Sequence, residues 1–164
     1  MRLTFIAAAA VLTLALALRP APPLMQEWPV YAADAAATHY SALADVDASN
    51  VAKLEIAWEW KPAEANQPNG ARPGNFQSTP LMIDNVLYLS TMYNRVVALD
   101  AETGAERWAY DPKAYDAGQP PNGTGLVHRG VAAWRDGTAL RIFINSRAKL
   151  ICLDATTGQP IETF

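Results

Sequence analysis

The residue types that most often carry catalysis are sparse in this sequence. Cys152 is the single cysteine, and its place in the apolar run 150–153 predicts a small buried side chain rather than a reactive thiol. His128 precedes Arg129, and each of the two, taken alone, is typical of a structural or exposed side chain. No pair of carboxylates has the spacing that a glycoside hydrolase needs. Whether Arg129 has a functional role therefore depends on the elements of the fold that position it.

Composition describes a soluble globular protein without a basic surface. Thirteen Lys and Arg stand against sixteen Asp and Glu, a formal net charge of −3, and no block of like charge occurs. We therefore expect no nucleic-acid partner. The hydrophobic content of 51% is inflated by alanine and by the first eighteen residues, so the core is expected to be moderate.

The N-terminus is predicted to direct export. Arg2 precedes an apolar run over residues 3–18, and Ala15 and Ala17 supply small residues for signal peptidase. Residues 1–25 are thus expected to be a signal peptide or a retained N-terminal anchor, although a membrane span takes about 20 apolar residues. The protein is expected to be periplasmic or otherwise exported, and to meet the inner membrane only through such an anchor.

Short strands with tight turns fill the rest of the chain. We predict one set of four strands at 79–83, 86–90, 95–99 and 105–110, and a second set at 130–134, 140–145, 149–153 and 159–164. Two loops, 62–75 and 111–125, are longer than ordinary turns, which favours a functional or packing role. No helical period follows the first segment, so the fold class is all-β.

The two sets of strands are copies of one unit. Residues 97–104 (VALDAETG) return as 151–158 (ICLDATTG), 54 positions later. The conserved chemistry suits a turn, because Asp and Thr accept bonds from nearby backbone N–H groups and Gly takes a positive φ. A four-stranded unit with a period of about 40 to 55 residues is typical of a β-propeller blade.

Two blades should not be stable alone. Each blade buries its apolar faces only against neighbours, and at least about three repeats are normally needed. We therefore expect residues 26–164 to be an incomplete propeller, about two blades plus an N-terminal closing strand.

The repeat resembles the tryptophan-docking motif of the PQQ-dependent (quinoprotein) dehydrogenases, whose propeller has eight blades. The motif residues are Ala98, Asp100, Thr103, Gly104 and Trp108. In the second copy Cys152 and Glu162 replace the Ala and the Trp, which predicts weaker docking there. Collinear matches extend over 28–164 and are most similar to the glucose-dehydrogenase branch, at WPVY (28–31), YSAL (40–43), 50–58, FQSTPL (76–81), 93–100, RGVA (129–132) and 162–164.

The resemblance implies two cofactor contacts. Arg129 matches an arginine that reaches the quinone oxygens, and a guanidinium suits a ligand with three carboxylates because it donates bidentate hydrogen bonds and stays charged. Gln77 stands where the family commonly has a glutamate that touches the cofactor. Tyr93 falls where glucose-oxidising members can have a histidine, on the substrate side. Residues 125–128 (GLVH) lack the adjacent cysteines of many alcohol-oxidising members, which argues against the methanol branch.

The implied activity is oxidation of a glucose-like sugar or an alcohol by hydride transfer to pyrroloquinoline quinone. In the family Ca²⁺ polarises the quinone carbonyl and an aspartate acts as base. Those ligands and that base belong to later blades, so no catalytic or metal-binding residue is assigned here, and this chain alone is expected to be inactive. Electrons would pass to a respiratory acceptor, a quinone or cytochrome c.

Two other readings stay open. A non-catalytic propeller with the same repeat could serve as an envelope scaffold or binding protein, but it would need neither Arg129 nor the long loops. A carbohydrate-binding or lyase-like propeller lacks support from paired carboxylates. The sequence around Arg129 favours the enzyme, and sugar and alcohol substrates both remain.

Overall fold

The computed structural model describes residues 27–164, and the predicted export segment 1–25 lies outside them. Two antiparallel sheets follow each other along the chain. The first, in the order β1-β2-β3-β4, comprises Leu81–Ile83, Val86–Ser90, Val96–Asp100 and Glu106–Tyr110; the second, β5-β6-β7, comprises Ala132–Asp136, Ala139–Ser146 and Lys149–Asp154. The two meanders confirm the all-β fold class and the blade-like units that the repeat predicts.

A single turn of 3₁₀ helix, Val51–Lys53, precedes the first sheet. Within 27–164 no helix is long and apolar enough to cross a membrane.

The hairpins close on residues that tolerate a left-handed backbone. Asp84 and Asn85 join β1 to β2 with φ values of 50° and 58°, as a two-residue hairpin turn with both φ positive requires. Gly137 (φ 56°) follows β5, and Arg147 (φ 52°) follows β6. These tight turns fix the register of each meander.

The repeated octapeptide forms the same hydrogen-bonded turn in both sheets. Asp100 Oδ1 accepts from the Thr103 N–H and hydroxyl, both at 2.9 Å, and Asp154 Oδ1 accepts from the Thr157 N–H at 2.8 Å and hydroxyl at 2.9 Å. The first copy adds an ion pair from Arg107 at 2.7 Å. The hydrogen bonds from Arg107 and then Thr103 lower the pKa of Asp100 to about 2. Its carboxylate therefore stays an acceptor at neutral pH.

Tryptophan docking links the sheets. The Trp108 ring lies over Gly158 so closely that a Cβ on the glycine would overlap it, and its Nε1–H donates to the Ala155 carbonyl at 2.9 Å. Trp58 repeats the arrangement one unit earlier, over Gly104. Its Nε1–H donates to the backbone carbonyl three residues before that glycine, at 3.3 Å. Each glycine is thus the receiving surface for the tryptophan of the preceding unit.

The shared core lies between the two sheets. Tyr88, Ile142, Ile144 and Leu153 are all nearly inaccessible there. The Tyr88 hydroxyl donates to the Ala155 carbonyl at 3.3 Å, and burial raises the pKa of Tyr88 to about 12. The hydroxyl therefore stays a donor, and the Ala155 carbonyl, with two lone pairs, receives both Tyr88 and the docked indole.

The predicted fourth strand of the second sheet, 159–164, is present only as a bridge between Pro160 and Leu153. The Ile161 N–H donates to the Cys152 carbonyl at 2.8 Å, but proline has no N–H to extend the ladder. Glu162, which stands in place of the motif tryptophan, is exposed. The copy without the tryptophan is thus also the copy whose last segment pairs with its sheet over fewer residues.

The starts of the two sheets also meet directly. Thr79 and Gly130 form a parallel bridge, in which the Thr79 N–H donates to the Arg129 carbonyl at 2.9 Å. Gly130 has a φ of 145°, and a Cβ built on it would lie 2.8 Å from the Thr79 carbonyl oxygen. Only glycine permits this approach, since L-residues avoid that φ and the neighbour is rigid backbone.

The docking predicts a graded stability series, measured by urea unfolding of the complete gene product. Trp108→Ala should lower the free energy of unfolding by about 3 kcal/mol, because it removes a packed ring and a donor. Trp108→Phe should cost about 1–2 kcal/mol, since it leaves the Ala155 carbonyl without the indole N–H. Glu106→Ala, on an exposed position of the same strand, should change stability by less than about 0.5 kcal/mol. Equal losses for Trp108→Ala and Glu106→Ala would contradict the docking.

Gly130→Ala should destabilise more than Gly137→Ala, which is a matched control. Both substitutions put an alanine at positive φ, but a Cβ at Gly137 meets nothing within 4 Å and should cost only about 1–2 kcal/mol of backbone strain. Gly130→Ala should add about 1–3 kcal/mol, because it forces the Thr79 backbone away. Thermal unfolding of both variants measures the difference, and equal melting temperatures would rule out the close approach.

Candidate functional site

Arg129 and Gln77 lie together where the two sheets begin. Gln77 precedes Thr79 by two residues, and the Thr79–Arg129 backbone hydrogen bond places the two segments side by side. Both side chains are exposed. Each of the two residues lines both of two neighbouring cavities, which have volumes of about 380 Å³ and 520 Å³. The structure thus brings together the two residues that the sequence assigns to the cofactor.

The two cavities differ in their walls. Leu81, Val131 and the Tyr31 ring give the smaller cavity apolar surface. Amide and hydroxyl groups from Asn75, Gln119 and Thr124 line the larger cavity. Arg129 and Gln77 therefore stand between an apolar wall and a polar one.

The charge at this place is positive. Neither cavity has an Asp or Glu among the residues that line it. Within 27–164 no side chain or backbone group forms a hydrogen bond or ion pair with the Arg129 guanidinium, whereas Arg107 and Arg135 are both paired with aspartates. An arginine that faces a cavity without a counter-charge suits an anionic ligand. The donors and the apolar wall thus fit a flat ring system that carries carboxylates.

The two long loops predicted from the sequence build the wall of the larger cavity. The Arg72 N–H donates to Gln119 Oε1 at 2.9 Å, and Asn69 Nδ2 donates to the Tyr115 carbonyl at 2.8 Å. Beneath them lies a small apolar cluster that includes Ala71 and Leu126. The loops are therefore packed against each other, as their length suggests.

Tyr93 lies inside that cluster and not in either cavity. It is 1% exposed, and its hydroxyl is 2.8 Å from the Ala65 carbonyl oxygen and 3.1 Å from that of Ala71. Burial raises the pKa of Tyr93, so it holds the 62–75 loop as a neutral hydrogen-bond donor. Its substrate-side role stays a prediction, and the structure does not bring Tyr93 together with Arg129.

The segment that carries Arg129 is held from both sheets. Asn94, a buried residue with a φ of 62°, donates from Nδ2 to the Leu126 carbonyl at 2.6 Å. Ser146, on β6, donates to Asn94 Oδ1 at 3.1 Å. The His128 ring contacts Ser90 on β2 and Asn145 on β6.

No motif in the sequence assigns a role to Asn75, Gln119, Asn94 or Asn145. Loop length was the only signal for the first two, and neither the asparagine in the loop after β2 nor the one on β6 carries a local sign of a tertiary partner. Among residues 27–164, no group of three or more His, Cys, Asp or Glu side chains could hold a metal ion.

Known proteins resemble this chain in sequence and fold. The PQQ family described as "Glucose/ethanol/alcohol dehydrogenase, beta-propeller domain" matches residues 28–164. Quinohemoprotein alcohol dehydrogenase ADH IIB of Pseudomonas putida is 35% identical over 136 residues, which are 82% of this chain and 18% of that protein. Quinoprotein glucose dehydrogenase of Escherichia coli (strain K12) is 30% identical over 152 residues, 87% of this chain and 19% of that protein.

The fold of this chain also resembles that of a solved structure. The crystal structure of quinohemoprotein alcohol dehydrogenase from Comamonas testosteroni superimposes with a TM-score of 0.64 at 30% identity, and the match covers 83% of this chain and 19% of that one. The chain thus spans about a fifth of the length of the proteins it matches. Because the family match takes in nearly all of the described residues, the chain belongs to the PQQ-dependent quinoprotein dehydrogenase family and forms part of its β-propeller.

Proposed function

We propose that this chain supplies one edge of the cofactor site of a dehydrogenase that oxidises a sugar or an alcohol with pyrroloquinoline quinone. The observation that carries the proposal is the Arg129 guanidinium, exposed beside Gln77 and without a counter-charge among residues 27–164. Membership of a family of quinoprotein dehydrogenases supports the cofactor's identity.

The chain's own residues bind and orient. Arg129 would donate hydrogen bonds to a carboxylate or to the quinone oxygens of the cofactor, and it would neutralise charge on that ligand. The Gln77 amide would donate a further, neutral hydrogen bond from the adjacent segment, which leads into β1. Leu81 and Val131 offer an apolar surface to a flat ring. When bound, the quinone supplies the chemistry by accepting a hydride from the substrate carbon.

The substrate we propose is a glucose-like sugar or an alcohol. The polar groups of the larger cavity, among them Asn75 and Gln119, suit a ligand rich in hydroxyls, because amides both donate to and accept from an OH group. Relatives named for alcohols and for glucose match this chain at similar identity, which supports both substrate classes.

Three further elements complete the proposal. Ca²⁺ would bind at ligands from outside residues 27–164, in later blades, and would supply Lewis-acid chemistry there. Electrons would leave to a quinone or to cytochrome c. The protein would act in the periplasm, to which residues 1–25 would direct it as a signal peptide or anchor.

Arg129→Ala in the complete gene product should weaken quinone binding by about 10- to 100-fold, because it removes a charge-assisted bidentate contact. Dye reduction with a panel of sugars and alcohols, after reconstitution with the quinone and Ca²⁺, should fall with it. Lys113→Ala is the control, since Lys113 is an exposed cation that lines neither cavity; it should leave both quantities unchanged.

Two results would contradict the proposal. A folded wild-type protein that neither binds the quinone nor reduces dye would favour a non-catalytic scaffold. Equal quinone affinity in the wild type and Arg129→Ala would remove Arg129 from the site.

A further inference from the structure

We propose that His128 is a positioning residue that aims Arg129 at the ligand, an inference that rests on the proposed function. The imidazole is half-buried between the two sheets. Its Nδ1 lies 3.2 Å from Ser90 Oγ, at the end of β2. Its Nε2 lies 3.1 Å from Asn145 Oδ1, on β6. One ring therefore bridges the two sheets immediately before Arg129.

The hydrogen-bond partners indicate which nitrogen of the His128 ring accepts and which donates. The Gly130 N–H is directed at His128 Nδ1 over 3.3 Å. Because a backbone N–H can only donate, Nδ1 accepts and the ring proton is on Nε2. Nε2–H then donates to Asn145 Oδ1, and Ser90 Oγ lies beside Nδ1. The ring thus has polar partners on both edges, one from each sheet.

These contacts restrain the backbone on both sides of Arg129. The Arg129 carbonyl accepts from Thr79 N–H at 2.9 Å, and the amide that follows it points at the His128 ring. Gly130 leaves no room for the chain to shift, because its Cα hydrogen faces the Thr79 carbonyl. With these restraints the Arg129 side chain starts from a defined direction beside Gln77. Less conformational freedom is then lost when the guanidinium binds a ligand.

Further contacts extend this arrangement into the first sheet. The Ser90 hydroxyl lies 3.3 Å from that of Ser78, and Ser78 Oγ accepts from the Ser90 N–H at 3.1 Å. Ser78 is the residue between Gln77 and Thr79. The same hydrogen-bonded series therefore reaches both cofactor-facing side chains, one through Ser78 and the other through Gly130.

A double-mutant cycle separates positioning from general stability. Quinone affinity is measured by fluorescence titration of the complete, folded protein, for His128→Leu in the wild-type and in the Arg129→Ala background. If His128 acts through Arg129, His128→Leu should weaken quinone binding at least about fivefold in the wild type and less than about twofold in Arg129→Ala. The same fold-loss in both backgrounds would overturn the inference.

Conservative replacement gives a second readout. His128→Asn places an amide oxygen near the position of Nδ1, where it can accept from the Gly130 N–H two residues on. It should restore quinone affinity to within about threefold of the wild type, and an Asn variant as weak as His128→Leu would contradict the proposal. If His128→Leu fails to fold, Asn145→Ala removes only the outer partner of the ring and enters the same cycle, where its loss of affinity should again require Arg129.

The cycle also distinguishes this inference from the proposed function. A wild type that binds no quinone overturns both. A wild type whose quinone binding depends on Arg129, with an independent effect of His128, overturns the positioning role alone.

Discussion

The contact of the Trp108 ring with Gly158 is the interaction on which the rest of this structure depends. It joins the last strand of one sheet to the turn at the end of the next, with the indole N–H on the Ala155 carbonyl. The buried Tyr88 hydroxyl donates to the same carbonyl. This contact sets how far apart the sheets lie. The spacing in turn lets Thr79 pair with Gly130, and that pairing brings Gln77 and Arg129 to the edge of the same cavities.

The candidate site forms because segments from the two sheets are held side by side, and no single motif contains it. Arg129 follows a loop held by Asn94 and His128, each of which contacts both sheets or the loop between them. Gln77 precedes the first sheet. Taken separately, each of the two is an exposed polar side chain that contributes little to the stability of the fold. Placed together on cavity walls without Asp or Glu, they suit an anion, because no counter-charge among residues 27–164 competes for the guanidinium.

Much of the fold could be predicted from local chemistry. The Asp, Thr and Gly of the repeat form the expected hydrogen-bonded turn twice, and the strand positions follow the alternation between turns. Pro160 is where the prediction failed, since a proline ends a ladder that apolar pattern alone would extend. The site was predictable only through the family resemblance. Tyr93 illustrates the limit: nothing local to the sequence shows that its hydroxyl is directed at the Ala65 and Ala71 carbonyls, because burial under a loop is a property of the folded chain.

The most direct test of the central claim, that this edge of the propeller receives the quinone through Arg129, is a crystal structure of the complete gene product with pyrroloquinoline quinone bound. We expect quinone oxygens within hydrogen-bonding distance of the Arg129 guanidinium, with Gln77 beside the same ligand. Quinone density remote from Arg129, or an Arg129 side chain paired with a protein carboxylate while the quinone is bound, would contradict it.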